Sequence, residues 1–310
     1  MNTTKKIWIS FFSIFVILSL CILGYIGKIY FDVKQTINTS YEEVERLSGE
    51  KKKLSMTNEK SPFSVLLLGT DSGDFGRTEQ GRSDTLILAT INPKKETTTF
   101  VSIPRDTYTE IIGYGTKDKI NHAYAYGGVS MAMATVENLL STHIDYYVQV
   151  NLKGMKELVD VVGGVEVNNP FTFNYDDTEF PIGKIKLDGE KALKYSRMRY
   201  DDPEGDYGRQ KRQQQILVGI LDKLKSVGMS FNYSNVLNVV GENMKTDISW
   251  ELINKKFKDS YSALKNIKTD QLIGEGFTGN GTTGQEGISY QRVQEKELSR
   301  VRQLIAEQLE

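Results

Sequence analysis

The apolar positions of this chain fall into two regimes. From Ile7 to Ile26 (IWISFFSIFVILSLCILGYI) no residue is charged and most are apolar. That is about the 20 residues an α-helix needs to cross the ~30 Å hydrocarbon core of a bilayer. A cleaved signal would show a shorter apolar core, roughly 7–15 residues, and a small-x-small cleavage site, and the stretch has neither. Leu20 is too large for a lipoprotein cleavage box at Cys21, so Cys21 reads as a membrane-buried residue. Lys5 and Lys6 precede the span without an acid, whereas Lys28 and Lys34 follow it. This bias predicts a single-pass anchor over 7–27, residues 1–6 in the cytoplasm and the remainder outside the cell membrane. Residues 28–60 then lose apolar periodicity and carry Glu42, Glu43 and Glu45 ahead of Lys51 to Lys53, the pattern of a solvated stem.

From Pro62 onward short β-branched runs alternate with amphipathic stretches. Ser64–Leu68, Thr85–Ile91 and Thr97–Ile103 predict strands, with Asn92-Pro93 as a hairpin connection. Ser130–Leu140 predicts a helix, Tyr146–Val150 a strand and Leu152–Val161 a second helix. Gly163-Gly164 opens another strand, and helices follow near Gly189–Tyr195 and over about 207–227. Strands alternating with helices predict an α/β domain over 61–247, a layered sheet flanked by helices. Helical patterns at Trp250–Leu264 and Ile288–Leu309, with a Gly-rich loop over 274–287, predict a helical extension, 248–310, packed on that domain.

Charge changes the picture by exclusion. The 310 residues hold 39 Lys+Arg against 40 Asp+Glu, so no bulk positive field recommends nucleic acid as a partner. One Cys and two His exclude Cys/His zinc sites and disulfide frameworks, so a bound metal would have to be held by oxygen. Only 11 basic residues are Arg, and those between 61 and 247 are Arg77, Arg82, Arg105, Arg197, Arg199, Arg209 and Arg212. Arg is the residue suited to bidentate recognition of carboxylate or phosphate, so its clustering in a Lys-rich chain marks candidate chemistry.

Three blocks carry it. Asp71 follows the first strand and Asp84 begins the second; at one sheet edge the two carboxylates suit a hard cation, although each could instead be a turn residue bonding backbone N–H groups. Arg105-Asp106 follows the third strand, either as a structural pair or as a phosphate fork. Arg197 and Arg199, two apart, would share a side of an extended segment. Arg209, Arg212 and Gln213 share a face near a helix N-terminus, where the backbone dipole favours anions. With Asp201, Asp202, Glu204 and Asp206 between them, this block is either a self-neutralised salt-bridge network or a pyrophosphate clamp whose guanidinium groups Asp206 orients. His122 reads as a general base or as a partly buried hydrogen-bonding residue. Neither a nucleophile elbow nor a P-loop is present.

Taken in order, Leu68-Gly69-Thr70-Asp71-Ser72, Gly81-Arg82-Ser83-Asp84-Thr85, Ser102-Ile103-Pro104-Arg105-Asp106, Lys119-Ile120-Asn121-His122-Ala123, Gly127-Gly128, Gly164-Val165-Glu166-Val167 and Ser196-Arg197-Met198-Arg199 through Asp206, Arg209, Arg212 and Gln213 resemble the LytR-CpsA-Psr family of membrane-anchored cell-wall phosphotransferases. The resemblance spans about 61–230. It implies transfer of an anionic glycopolymer, such as wall teichoic acid or capsular polysaccharide, from a polyprenyl pyrophosphate carrier to a peptidoglycan hydroxyl on the outer face of a Gram-positive membrane. It also implies Mg²⁺ at Asp71 and Asp84, with Mn²⁺ as a possible substitute. Arg82, Arg105, Arg197, Arg199, Arg209 and Gln213 would surround the pyrophosphate, joined by Arg212 from the clamp reading, and the prenyl tail would lie in an apolar tunnel. Arg105, Arg197 and Arg199 are the expected catalytic groups, with Asp106 orienting Arg105 or assisting deprotonation of the acceptor. The rivals are a polyprenyl-phosphate sensor without turnover and a carrier pyrophosphatase.

Overall fold

The computed structural model describes residues 3–47, 60–71, 81–226, 233–257, 260–282 and 285–310, with side chains from Leu18 onward except at 256 and 257. The chain opens with α1, Thr3–Ser40. Three strands follow, β1 (Phe63–Thr70), β2 (Ser83–Asn92) and β3 (Thr97–Ser102), and then the hairpin of β4 (Tyr108–Ile111) and β5 (Thr116–Lys119). Next come α2 (Ile120–Leu140), β6 (Tyr146–Asn151), α3 (Leu152–Val161), β7 (Val165–Asn169), β8 (Phe173–Tyr175), β9 (Thr178–Phe180) and β10 (Gly183–Leu187). The remainder holds α4 (Gly189–Arg197), α5 (Asp206–Ser226), α6 (Tyr233–Asn243), β11 (Met244–Thr246), the single turn α7 (Trp250–Leu252), β12 (Asn266–Gln271), β13 (Glu275–Gly279), β14 (Ile288–Arg292) and α8 (Glu295–Leu309).

The architecture is α/β. Six of the described strands form one mixed sheet in the order β11-β6-β1-β2-β3-β12, with β1 antiparallel to β2 but parallel to β6, and β12 parallel to β3. Its central strands are apolar on both faces, the signature of a sheet covered on both sides. Leu66, Leu68, Leu86, Leu88 and Val101 pack with α2 and with Leu298, Val301 and Ile305 of α8. Val65, Ile87, Ala89 and Phe100 pack on the opposite face with Leu217, Val218 and Leu221 of α5. A separate apolar cluster joins α3, α4 and α5 to the β7–β10 hairpin through Val159, Val165, Phe173, Phe180 and Ile216.

Several sequence expectations change. The β4–β5 hairpin falls where no element was expected. Helix α2 starts ten residues ahead of Ser130, and Gly127 and Gly128 break its helical dihedrals, Gly128 at φ 63. The helical pattern over Trp250–Leu264 dissolves after α7 into a π turn and a 3₁₀ turn, because its backbone is drawn to the sheet: Thr98 Oγ1 donates to the Ala263 carbonyl at 3.0 Å and Lys225 Nζ to that of Leu264 at 3.0 Å. The pattern over Ile288–Leu309 is half strand. Residues 288–292 pair with 279–275 and bury alternate Tyr290, so the helix begins only at Glu295. Residues 248–310 thus supply an edge strand, a hairpin and a packing helix.

Helix α1 contains the whole Ile7–Ile26 stretch, of which residues 7–17 lie outside those with described side chains. Among the described residues no helix is long and apolar enough to cross a membrane. The segment after α1 is docked rather than free. Glu42 N–H donates to the Thr246 carbonyl at 2.8 Å, Tyr147 Oη donates to the Glu42 carbonyl at 2.9 Å, and Val44 packs on the core. Arg46 reaches Glu137 Oε1 at 2.9 Å and the Ile144 carbonyl at 2.5 Å.

Glu137 also faces His143 Nδ1 at 3.2 Å, and this hydrogen bond raises the pKa of the histidine against partial burial. A raised histidine pKa stabilises the fold fully below the unfolded value, about 6.5, and that increment is lost as pH climbs through the folded value. Urea unfolding of the wild type is therefore expected to weaken across this window by less than about 1 kcal/mol, since His143 is exposed, and Glu137→Gln is expected to flatten the profile. An unchanged slope in the variant would remove this assignment.

Candidate active site

The site forms where β1, β2 and β3 run out at one edge of the central sheet. At Gly69 the two strands approach so closely that a Cβ there would lie 2.8 Å from Thr85 Cβ. Gly69 pairs with Thr85 but Thr70 with Ser83, so Asp84 is the extra residue of a β-bulge. Bulges re-aim side chains next to active sites, and here the re-aimed group is a carboxylate. Asp71 Oδ1 accepts the Arg82 N–H at 2.9 Å, and a Cβ on Gly81 would lie 1.8 Å from that oxygen, so only glycine admits this closure. Asp71 thus does serve a backbone N–H, as one of its two sequence readings held.

Asp84 Oδ1 receives Arg105 Nη1 at 2.8 Å, and Arg105 Nε lies 3.9 Å from Asp106 Oδ2. Burial works against the charge of Arg105, but Asp84, then Asp106 and Asp206, offset this and hold its pKa above the ordinary value. Arg209, one turn into α5, is only 6% exposed and has Nη2 2.7 Å from Asp206 Oδ1. Desolvation lowers its pKa, aided by the positive charges of Arg105 and Arg199 and opposed by Asp206 and Asp84. Each of the two guanidinium groups therefore carries its charge within electrostatic reach of the other. Arg105 Nε and Arg209 Nε are buried without a hydrogen-bond partner, and Arg209 Nη2, although ion-paired with Asp206 Oδ1, is not aligned for a hydrogen bond to it. Orphaned, partly desolvated donors beside like charge are what a multi-oxygen anion satisfies.

Arg212, grouped with Arg209 by sequence, goes elsewhere. It is 1% exposed and pairs with buried Asp202, while Nε donates to the Tyr195 carbonyl at 2.9 Å and Nη2 to that of Met198. The self-neutralised reading thus describes Arg212, and the orphaned donors of Arg209 fit the clamp. Gly208 admits the Asp202 carboxylate, which a Cβ would meet at 1.9 Å. Arg197 is the last residue of α4 rather than part of an extended segment, and Met198, plugged into the core, separates it from Arg199. Arg197 and Arg82 are exposed, and Arg199 and Gln213 half-buried.

Sequence reasoning missed the wall of the site. A cavity of about 330 Å³ is lined by Asp106, Arg199 and Asp206 together with Tyr207, Ser289 and Gln291. Lys119 Nζ donates to Asp106 Oδ1 at 2.7 Å, and Gln291 N–H to the Asp106 carbonyl at 2.8 Å. Lys119 stood in a motif the sequence singled out; Gln291 lay in a stretch read as helical. His122 Nδ1 sits 2.8 Å from buried Asp118 Oδ2, which also accepts Tyr126 Oη at 2.9 Å.

For a metal, the described residues offer no cluster of three or more His, Cys, Asp or Glu. Asp71, at the end of β1, and Asp84, at the bulge of β2, offer two carboxylates at one sheet edge, each with its Oδ1 already engaged, by Arg82 N–H and by Arg105 Nη1. Such a pair fits a hard cation whose remaining ligands are phosphate oxygens and water.

Fold and site together define an α/β protein with arginines and carboxylates gathered at a sheet edge. The chain belongs to the LytR_cpsA_psr family, whose model matches residues 28–307. It is 52% identical over 309 residues, covering 100% of this chain and 99% of the relative, to the polyisoprenyl-teichoic acid–peptidoglycan teichoic acid transferase TagU of Enterococcus faecalis. The crystal structure of Bacillus subtilis TagU matches with TM-score 0.63 and 42% identity over 81% of this chain and 98% of that one. A structure of TagT bound to LIIa-WTA matches with TM-score 0.69 and 32% identity, over 86% and 99%.

The two arginines of α5 should separate by experiment. Arg212→Ala breaks a buried pair and is expected to lose about 3–5 kcal/mol in denaturant unfolding. Arg209→Gln is expected to cost less stability than Arg212→Ala, since glutamine keeps a donor for Asp206 and removes a charge like that of Arg105, yet to weaken inorganic pyrophosphate binding about tenfold or more by titration calorimetry, the loss of one charged hydrogen bond. Equal binding by Arg209→Gln and wild type would remove Arg209 from the site.

Proposed function

We propose that this chain transfers teichoic acid from a polyisoprenyl pyrophosphate carrier to peptidoglycan. The observation that carries the reading is the pair of like-charged guanidinium groups, Arg105 and Arg209, each ion-paired to its own carboxylate yet keeping a buried Nε without a partner. The names of its relatives supply the substrates. In the reaction an acceptor hydroxyl oxygen forms a bond to the glycopolymer-linked phosphorus and the bridging P–O bond breaks. Polyisoprenyl phosphate leaves, and the hydroxyl proton is released. Arg105 and Arg209 would hold the phosphates and neutralise charge that builds on them, already oriented by Asp84 and Asp206. Arg199, at the cavity, and the exposed Arg82 and Arg197 would extend the clamp toward the donor, with Gln213 beside them. The Lys119–Asp106 ion pair supports Asp106 as a group that positions Arg105 rather than as a free base.

Asp71 and Asp84 would hold Mg²⁺, or Mn²⁺ in its place, as a Lewis acid toward the phosphate oxygens. Residues 7–27 would anchor the chain in the cell membrane with 1–6 in the cytoplasm, so that the site meets a carrier confined to the bilayer. Residues 28–60 would act as the stem, 61–247 as the catalytic domain and 248–310 as the extension packed on it.

With full-length protein in lipid nanodiscs, lipid-linked teichoic acid and peptidoglycan oligomers, a covalent conjugate is expected with Mg²⁺ and none with chelator. Arg105→Ala is expected to abolish it while the protein stays folded by circular dichroism. Free glycopolymer phosphate without conjugate would instead identify a carrier pyrophosphatase, and tight donor binding without product a sensor.

A further inference from the structure

Helix α1 does not end with its apolar stretch. It runs on for fourteen residues past Ile26 and packs along the domain. The first contact is aromatic and lies at the very end of the apolar stretch: Tyr25 meets Tyr233 of α6 edge-to-face with ring centroids 6.3 Å apart. Five residues on, Tyr30 meets Trp250 of α7 edge-to-face at 5.0 Å and neighbouring Phe31 at 5.7 Å. Between them Tyr233 Oη donates to Asp32 Oδ2 at 3.0 Å, and farther up Ser40 Oγ donates to the Val240 carbonyl at 3.1 Å. Although packed, these rings are not enclosed. Tyr25 is 53% exposed, Tyr30 46% and Phe31 66%.

We infer that the edge of the domain formed by α6 and α7 rests in the headgroup layer of the bilayer, with Tyr25, Tyr30, Phe31, Tyr233 and Trp250 as an interfacial collar. This rests on the membrane-anchor reading of residues 7–27. Trp and Tyr favour that layer because each offers an apolar ring and a polar handle. The dimensions agree. Five residues of helix rise about 7.5 Å. The polar layer on each side of the hydrocarbon is about 5–8 Å deep. Tyr25 at the hydrocarbon boundary therefore leaves Tyr30 and Trp250 within or just at the outer limit of the headgroups. Lys28, largely exposed between them, can reach lipid phosphates. The consequence is a mount at two heights rather than a swivel: the α1 helix and the domain edge meet the membrane together, which sets the orientation of the catalytic site toward a carrier lipid arriving from the bilayer.

The chain contains two tryptophans, Trp8 and Trp250, so each can be observed alone. In liposomes, Trp8→Phe leaves Trp250 as the reporter, and Trp250→Phe leaves Trp8. The expected result is that Trp250 emission is quenched by lipids brominated near the glycerol end of the acyl chain more than by lipids brominated near the methyl end, and that Trp8, which enters the span at its cytoplasmic end, is quenched by the same shallow bromines from the opposite leaflet. Unquenched Trp250 beside quenched Trp8 would overturn the collar and leave the anchor standing. Trp250 quenched most by the deepest bromines would overturn the headgroup placement. If neither is quenched, the anchor reading itself fails and the collar with it.

Discussion

Two guanidinium groups within electrostatic reach of one another and largely out of water are the constraint around which this molecule is organised. Like charges repel, and the repulsion grows as solvent is withdrawn. The fold tolerates Arg105 beside Arg209 because each has a carboxylate of its own, Asp84 and Asp206, delivered from a different element. The balance is incomplete, and several donors stay unbonded. Buried donors left unbonded cost stability that a fully satisfied network would keep. Stability forgone at a functional site is a common trade.

Keeping those groups in place needs rigid supports on both sides. On one side stands the sheet, with β1 and β2 brought together at Gly69 and the bulge that turns Asp84 outward. On the other is α5, bolted to the end of α4 by Arg212, which spends its donors on Asp202, Tyr195 and Met198 in the interior. Gly81 and Gly208 act alike, since each removes the one carbon that would bar a carboxylate from its seat. The last third of the chain closes the arrangement. The β13–β14 hairpin brings Gln291 to the Asp106 carbonyl, and β12 completes the edge of the sheet beside β3. A domain ending at residue 247 would lack both.

Local pattern was a good guide to the central strands and to α3 and α5, and it singled out Asp84, Arg105, Asp106, Arg199, Asp206 and Arg209, which the fold brings to one region. Apolar runs between turn residues and Arg set among Lys are composition signals that no distant contact can erase. The same reasoning placed helix over Ile288–Arg292 and saw nothing at Tyr108–Lys119, because both are two-stranded hairpins whose strands are defined by the partner across the ladder.

What the sequence determined by itself was therefore the α/β class, the exclusion of thiol and Cys/His metal chemistry, and the set of arginines and aspartates worth following. Tertiary structure alone decided how to divide that set. Arg209 and Arg212 stand three apart on one helix and are indistinguishable by spacing, yet one keeps a buried Nε without a partner and the other is sealed against Asp202. The difference lies in what packs against each residue from α4 and the sheet. Local sequence specifies which groups are present; the partners that consume or spare their hydrogen bonds arrive from tens to hundreds of residues away.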